Sequence, residues 1–160
     1  MIKDAIIDST GAYRYSLWRI WNPDLPKVLF VMLNPSTADA SIDDPTIRRC
    51  IGFAKAWGFG SLEVVNLFAY RATDPEELKK CSDPIGPNND YHIRRAAHRA
   101  DKIIAAWGTK GSLLGRDRLV MEIFHSFPMF CLDVSKAGHP KHPLYIKADS
   151  TPAEYSGNTA

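Results

Sequence analysis

The spacing of apolar and polar positions changes period along the chain, and each change marks an element. Tyr13 to Trp21 alternates large and polar side chains in a β-rich, aromatic stretch. That pattern predicts a strand covering one side of a core, at a sheet edge or as a hairpin arm, ended by Pro23 and Pro26. Val28 to Leu33 is continuously apolar and stops at Asn34-Pro35, as a strand buried on both faces does. Asp44-Pro45 supplies an N-cap and a first-turn proline, Ile47, Cys50, Ile51 and Ala54 follow at helical spacing, and Gly58 offers a stop. Leu62 to Phe68 reads as the next buried strand, and Asp74-Pro75-Glu76-Glu77-Leu78 as the start of a short helix. Beyond a Pro/Gly/Asn-rich loop at Asp83 to Asn89, a helix through Ile93, Ala96, Ala97 and Ala100 leads into a third buried strand, Lys102 to Trp107. Gly108 to Gly115 reads as a flexible turn, Arg116 to His125 as a helix burying Leu119, Val120, Ile123 and Phe124, and Pro128 to Leu132 as a fourth short strand.

Strands alternating with helices predict an α/β fold: a three-layer sandwich around a central, mainly parallel four-stranded sheet, joined by right-handed crossovers, plus the N-terminal edge strand or hairpin. Residues 1–150 are expected to form one domain, with 151–160, rich in Ser, Thr and Gly, as a frayed tail. A chain of 160 residues suffices for one core. Its 45% apolar and 24% charged content belongs to an ordinary globular protein. No apolar run approaches the roughly 20 residues that span a bilayer, and Met1-Ile2-Lys3-Asp4 lacks a signal-peptide pattern, so no membrane partner and a cytoplasmic location are expected. Cys50, Cys81 and Cys131 are odd in number and contain no Cys-x-x-Cys pair, which suggests buried thiols and neither disulfides nor a metal cluster.

Ligands of open parallel sheets bind beyond the carboxyl ends of the strands, which directs attention to four loops. Asn34 offers an amide that can orient a water, restrained by Pro35 and followed by Ser36, although Asn-Pro also opens plain turns. Asp39, Asp43 and Asp44 could serve as a base or metal ligand, Asp44 being better explained as the helix cap. Asn66 interrupts an apolar run, where an unpaired amide costs roughly 1–3 kcal/mol, so it needs partners in the fold or in a ligand whose edge it reads. Lys136 to Leu144 carries two His-Pro pairs, His139-Pro140 and His142-Pro143, interleaved with lysines, a stretch suited to an anionic ligand or to a solvated basic loop; His142 fits the solvated reading better than His139. The net charge of +2 does not by itself imply nucleic-acid binding, although Arg94 and Arg95 lie in one of three basic clusters. No cofactor is indicated, and no His/Cys spacing supplies a zinc site.

At these loops the chain resembles, over nearly its whole length, bacterial and phage proteins classed as the domain of unknown function 1643. The match rests on Tyr15-Ser16-Leu17-Trp18, Met32 to Ser36, Asp43 to Thr46, Asn66 to Ala69 and Gly138 to Leu144. More distantly, the strand followed by Asn34-Pro35 is similar to the first motif of the uracil-DNA glycosylase superfamily, and His139-Pro140 to its second. Val65-Asn66-Leu67 is similar to the strand-end asparagine that reads the uracil edge. This resemblance implies a four-stranded parallel sheet between helices, hydrolysis of an N-glycosidic bond on a nucleotide or nucleic acid, and Asn34 and His139 as catalytic residues. Asn34 would place the attacking water, Asn66 would bond the flipped base, and His139 would stabilise the leaving base anion. Pro35, Ser36, Phe68, Tyr70, Lys136, Lys141 and His142 complete the expected substrate-binding set, with Arg94 and Arg95 on the nucleic-acid backbone. The chain departs from that pattern at Met32, usually a glycine, and at Lys141, which replaces a serine, while His142 resembles an insertion. Two alternatives follow: a non-catalytic module binding nucleic acid or nucleotide, and a hydrolase or transferase of a small phosphorylated metabolite.

Overall fold

The computed structural model describes residues 1–157. Among them, seven strands form one sheet in the order β1 (Ile2–Ile7), β2 (Arg14–Ile20), β4 (Ser61–Asn66), β3 (Lys27–Met32), β5 (Lys102–Ala105), β6 (Met129–Cys131) and β7 (Ala153–Glu154). The β3–β4, β3–β5 and β5–β6 pairings are parallel, whereas β1–β2, β2–β4 and β6–β7 are antiparallel. The fold is thus mixed α/β, in one sheet of seven strands rather than four: β4, β3, β5 and β6 pair in parallel, and β1, β2 and β7 join antiparallel.

Helices α1 (Pro45–Ala56), α2 (Glu77–Lys80), α3 (Asn89–Arg99) and α4 (Arg116–Ile123) divide between the two faces. Alternation along the strands sends Leu29, Val31, Val65, Ile103, Ala105 and Met129 to one side, against Leu78, Ile93, Ala96 and Val120 of α2, α3 and α4 and Phe124 just beyond α4. The intervening residues Val28, Phe30, Met32, Leu62, Val64 and Ile104 face Ile47, Cys50, Phe53 and Ala54 of α1. Both faces are covered, so the continuous apolar runs of β3 and β4 follow from geometry. Helix α1 starts as its sequence dictates: the Asp44 carboxylate accepts from the Ile47 amide at 2.9 Å and Pro45 occupies the first turn. Such a cap is worth roughly 0.5–2 kcal/mol.

Of the two places expected for Tyr13 to Trp21, the structure takes the hairpin arm, because β1 pairs outside it. Three other expectations need correction. Gly108 to Gly115 is largely a 3-10 segment, with Leu114 in the left-handed region at φ 54°. In α4, Leu119 is 45% exposed while Arg116 and Asp117 are buried. Arg116 bonds the Leu67 carbonyl at 2.9 Å and Asp90 at 2.8 Å, so a charged side chain takes the core-facing position. The stretch after Ser150, expected to fray, pairs through Ala153–Glu154 with β6 and buries Tyr155; only its last three residues, 158–160, lie outside the described part. Among the cysteines, Cys50 and Cys131 are buried and Cys81 is half-buried. No helix of the described residues is long and apolar enough to cross a membrane.

Candidate functional site

Beyond the carboxyl ends of β3, β4 and β5, four segments close around a pocket of about 420 Å³, within the roughly 300–1,000 Å³ usual for small-molecule sites. Asn34 to Thr37 come from the loop after β3, Asp44 to Ile47 from the start of α1, Ala72, Thr73 and Pro75 from the segment before α2, and His142 and Leu144 from the loop after β6. Met32, Asn66 and Trp107 at the strand ends also line it, and Arg14 enters from the start of β2. A larger, more open cavity of about 690 Å³ lies along α4 between Met121, Phe127, Met129 and Tyr155. The smaller pocket is the candidate site because it holds polar groups that the fold leaves unpaired.

Asn66 is 1% exposed, and among the described residues neither its Nδ2 nor its Oδ1 has a hydrogen-bond partner. Its backbone is firmly held: the Asn66 carbonyl accepts from Asn89 at 2.9 Å, and Asn66 sits opposite Met32 in the parallel register. The Trp107 indole N–H is likewise buried and unpaired among the described residues. Gly111 fixes that ring from behind, since a Cβ there would stand 2.4 Å from Trp107 Cδ1. A buried amide with both ends free departs from the rule that such groups are bonded, and it borders a cavity.

Asn34 has a different situation. Its Nδ2 donates to the carbonyls of Ala72 at 2.8 Å and Pro35 at 3.1 Å, while the Ala72 amide donates to the Pro35 carbonyl at 2.9 Å. The side chain therefore staples the segment before α2 to the loop after β3. Its Oδ1 makes no hydrogen bond among the described residues. Ser36 lies against Thr73, hydroxyl to hydroxyl at 3.4 Å.

Of the two histidines expected at the site, the pocket is lined by one. His142 lines the pocket; its Nδ1 accepts from the Leu144 amide at 3.2 Å, so Nε2 carries the proton of the neutral ring. Burial pushes its pKa below the usual histidine value, and the Asp44 charge opposes that shift. His139 does not line the pocket. It belongs to a tight loop in which its amide donates to Ser135 Oγ at 3.1 Å and its carbonyl accepts from the Ser135 amide at 2.8 Å. Its neighbour Pro140 accepts from the Gly108 amide at 2.8 Å, tying this loop to the end of β5.

The remaining expected residues lie outside the pocket. Phe68 is fully buried core, and Tyr70 packs against that core and edge-on to Tyr13. Lys136 is exposed, Lys141 pairs with Asp133 at 3.4 Å, and Arg94 and Arg95 are exposed on α3, with Arg95 over the Tyr91 ring at 5.7 Å. Of the three carboxylates after Asn34, Asp39 holds the turn amides of Ser41 and Ile42, Asp43 pairs with Arg19 at 2.8 Å, and only Asp44 reaches the pocket. Among the described residues, no group of three or more His, Cys, Asp or Glu side chains could hold a metal ion.

Sequence reasoning missed Arg14, Trp107 and Thr46 as site residues. Arg14 is 2% exposed, donates from one terminal nitrogen to the Ala38 carbonyl at 3.1 Å, and keeps a buried, unpaired Nε among the described residues. Desolvation lowers its pKa to about 10, with Asp44 opposing the shift and Arg71 and Arg19 adding to it, so it stays charged at neutral pH. No curated protein and no solved structure matches the chain. The model of the family described as proteins of unknown function, DUF1643, matches residues 14–144, from the pocket arginine to the pocket leucine, and the chain belongs to that family.

Proposed function

We propose that the pocket binds a nucleobase-bearing ligand and supports hydrolysis of its N-glycosidic bond. The observation that carries this reading is the Asn66 side chain, a fixed, buried donor–acceptor pair with both ends free beside a cavity of base-accommodating size. The edge of a planar heterocycle, which presents an acceptor next to a donor, satisfies both ends at once, and a buried polar pair of this kind discriminates strongly against ligands that cannot bond to it. Trp107, which also lines the cavity, adds a further buried N–H without a partner among the described residues.

Within that reading, the free Oδ1 of Asn34 accepts from the attacking water. Cleavage through an oxocarbenium-like state needs a water held in place and a stabilised leaving group more than a strong base. The neutral His142, with its proton on Nε2, donates a hydrogen bond to the departing base anion, a role the distant resemblance assigned to His139. The C–N bond breaks, the water's oxygen bonds to the sugar carbon, and the proton the water releases ends on the base. Support comes from the pocket's place at the strand ends and from the resemblance of its asparagines to those of the uracil-DNA glycosylase superfamily. A second reading, a small phosphorylated metabolite in place of nucleic acid, is favoured by the separation of Arg94, Arg95 and Lys136 from the pocket.

The test is base release from single- and double-stranded oligonucleotides carrying uracil and other altered bases, and from free nucleosides and nucleotides. Release abolished by Asn66→Ala and His142→Ala and retained by His139→Ala is the expected result. Release indifferent to Asn66 overturns the proposal, and base-dependent binding with no turnover on any substrate reduces the site to a binding module.

A further inference from the structure

We infer that the pocket carries a second, anionic subsite built on Arg14, which takes the phosphate of a phosphate-bearing ligand. The inference rests on the proposed nucleobase site only in adding to it a phosphate, so that a nucleotide rather than a free base or nucleoside fills the whole cavity. Arg14 is buried to 2% exposure at the pocket wall, yet it makes no ion pair within 4.0 Å among the described residues. Of its five N–H groups, one is directed at the Ala38 carbonyl, and the buried Nε is unpaired among those residues. Buried charges are ordinarily paired or fully hydrogen-bonded. The carboxylate that acts on Arg14 most strongly, Asp44, is engaged elsewhere: its oxygens accept from the amides of Ile47 at 2.9 Å and Ala38 at 3.4 Å.

The surroundings agree with an oxyanion. Residues Pro45 to Ile47, the first turn of the twelve-residue helix α1, line the same pocket and bring the positive end of its dipole to it. Ser36, Thr37, Thr46 and Thr73 line it as well, and hydroxyl-bearing residues of this kind suit phosphate oxygens. Arg71, whose Nε donates to the Ser36 carbonyl at 3.3 Å, adds positive charge behind the Ser36 loop. A guanidinium held by the fold before the ligand arrives loses little side-chain freedom on binding, so one phosphate contributes fully.

The experiment is calorimetric titration of the full chain with inorganic phosphate, ribose 5-phosphate, uridine, uridine 5′-monophosphate, adenosine and adenosine 5′-monophosphate. The wild-type protein is expected to bind the better-fitting monophosphate roughly 10–100-fold tighter than its nucleoside, as charge-assisted bonds to a buried cation provide. Arg14→Gln should erase that preference and Arg14→Lys should keep part of it, while Asn66→Leu should still bind ribose 5-phosphate. Equal affinity for nucleoside and monophosphate in the wild type overturns the inference without any variant, so a misfolded Arg14 substitution cannot shelter it. Binding of ribose 5-phosphate with no gain from either base would overturn the nucleobase reading and leave the anionic subsite standing. Absence of binding by every phosphate-bearing probe overturns the inference.

Discussion

Replacing Asn66 by leucine, which matches asparagine in branching but carries no polar atom, should make the unliganded protein more stable while abolishing its recognition of a base. Asn66 is 1% exposed, and neither end of its amide is bonded among the described residues, so the fold bears the desolvation of a polar group with nothing in return. The cost of leaving such a group unpaired is roughly 1–3 kcal/mol. Leucine removes it and sets apolar atoms against Met32, its register partner, and against the cavity, which has room for the slightly larger side chain. For a chain of this length each kcal/mol moves the melting temperature by about 2–4 °C, so the variant should melt roughly 2–12 °C higher. Urea denaturation with an unchanged slope would tie the gain to the folded state, and binding of nucleosides should be lost. A variant destabilised by about 1 kcal/mol or more would mean that the amide is bonded inside the fold, and the argument that Asn66 awaits a ligand would fail.

Other perturbations probe neighbouring features. Burial pushes the Glu63 carboxyl up, but bonds from Arg99 at 2.7 Å, Lys27 at 2.8 Å and Ser16 at 2.6 Å outweigh it and hold the group below its usual 4.5. Its contribution is therefore present above that pH and lost as acid takes it through the lowered value; Glu63→Gln should cost about 1–3 kcal/mol at pH 7 by urea titration and flatten the acid limb. His142 has the same sign for a different reason: burial depresses its pKa, so stability should fall as pH drops below 6.5, a loss that His142→Asn should remove from thermal melts. Gly111→Ala would drive a methyl into the Trp107 ring and should cost about 1–3 kcal/mol, with a shift in tryptophan fluorescence as the indole moves. Leu114, exposed at φ 54°, should tolerate Leu114→Gly with a gain of about 0.5–1 kcal/mol in the same melts.

Much of the architecture was legible because periodicity and punctuation agreed. Asp44-Pro45 and Gly58 bracket α1 as expected, and the apolar runs of β3, β4 and β5 lie where continuous hydrophobicity placed them. The misses have local causes. Strand β1 carries exposed Ile2, Lys3 and Asp4 and only half-buried residues thereafter, so it shows little of the alternation that reveals a strand, and its pairing with β2 supplies what its sequence lacks. Strand β7 has two residues, both exposed, and is a strand only because β6 offers it an edge. Both histidines precede proline in one basic loop, so the sequence placed both at the site, whereas only His142 lines the pocket. His139 sits in a loop closed locally by Ser135 and tied to the end of β5 by the bond from the Gly108 amide to the Pro140 carbonyl, and only that last contact is tertiary.

The site residues show where such reading stops. Arg14 occupies a polar position of an alternating strand, where a charged side chain is expected to face water. It is buried because the loop from Ser36 to Asp43 folds over that face, pinned by Arg19 to the carbonyl of Asp39 at 2.7 Å and the carboxylate of Asp43 at 2.8 Å. Glu63 and Asn66 pose the opposite problem: each interrupts the apolar run of β4, and each is 1% exposed. As sequence they carry the same signal, a polar residue where none is expected. In the fold they part company, since Glu63 meets Ser16, Lys27 and Arg99, whereas the Asn66 side chain meets nothing among the described residues. A polar residue inside a buried strand therefore marks a place where a partner is required. It becomes a candidate for binding only when the fold withholds that partner and leaves a cavity in its place, as it does at Asn66.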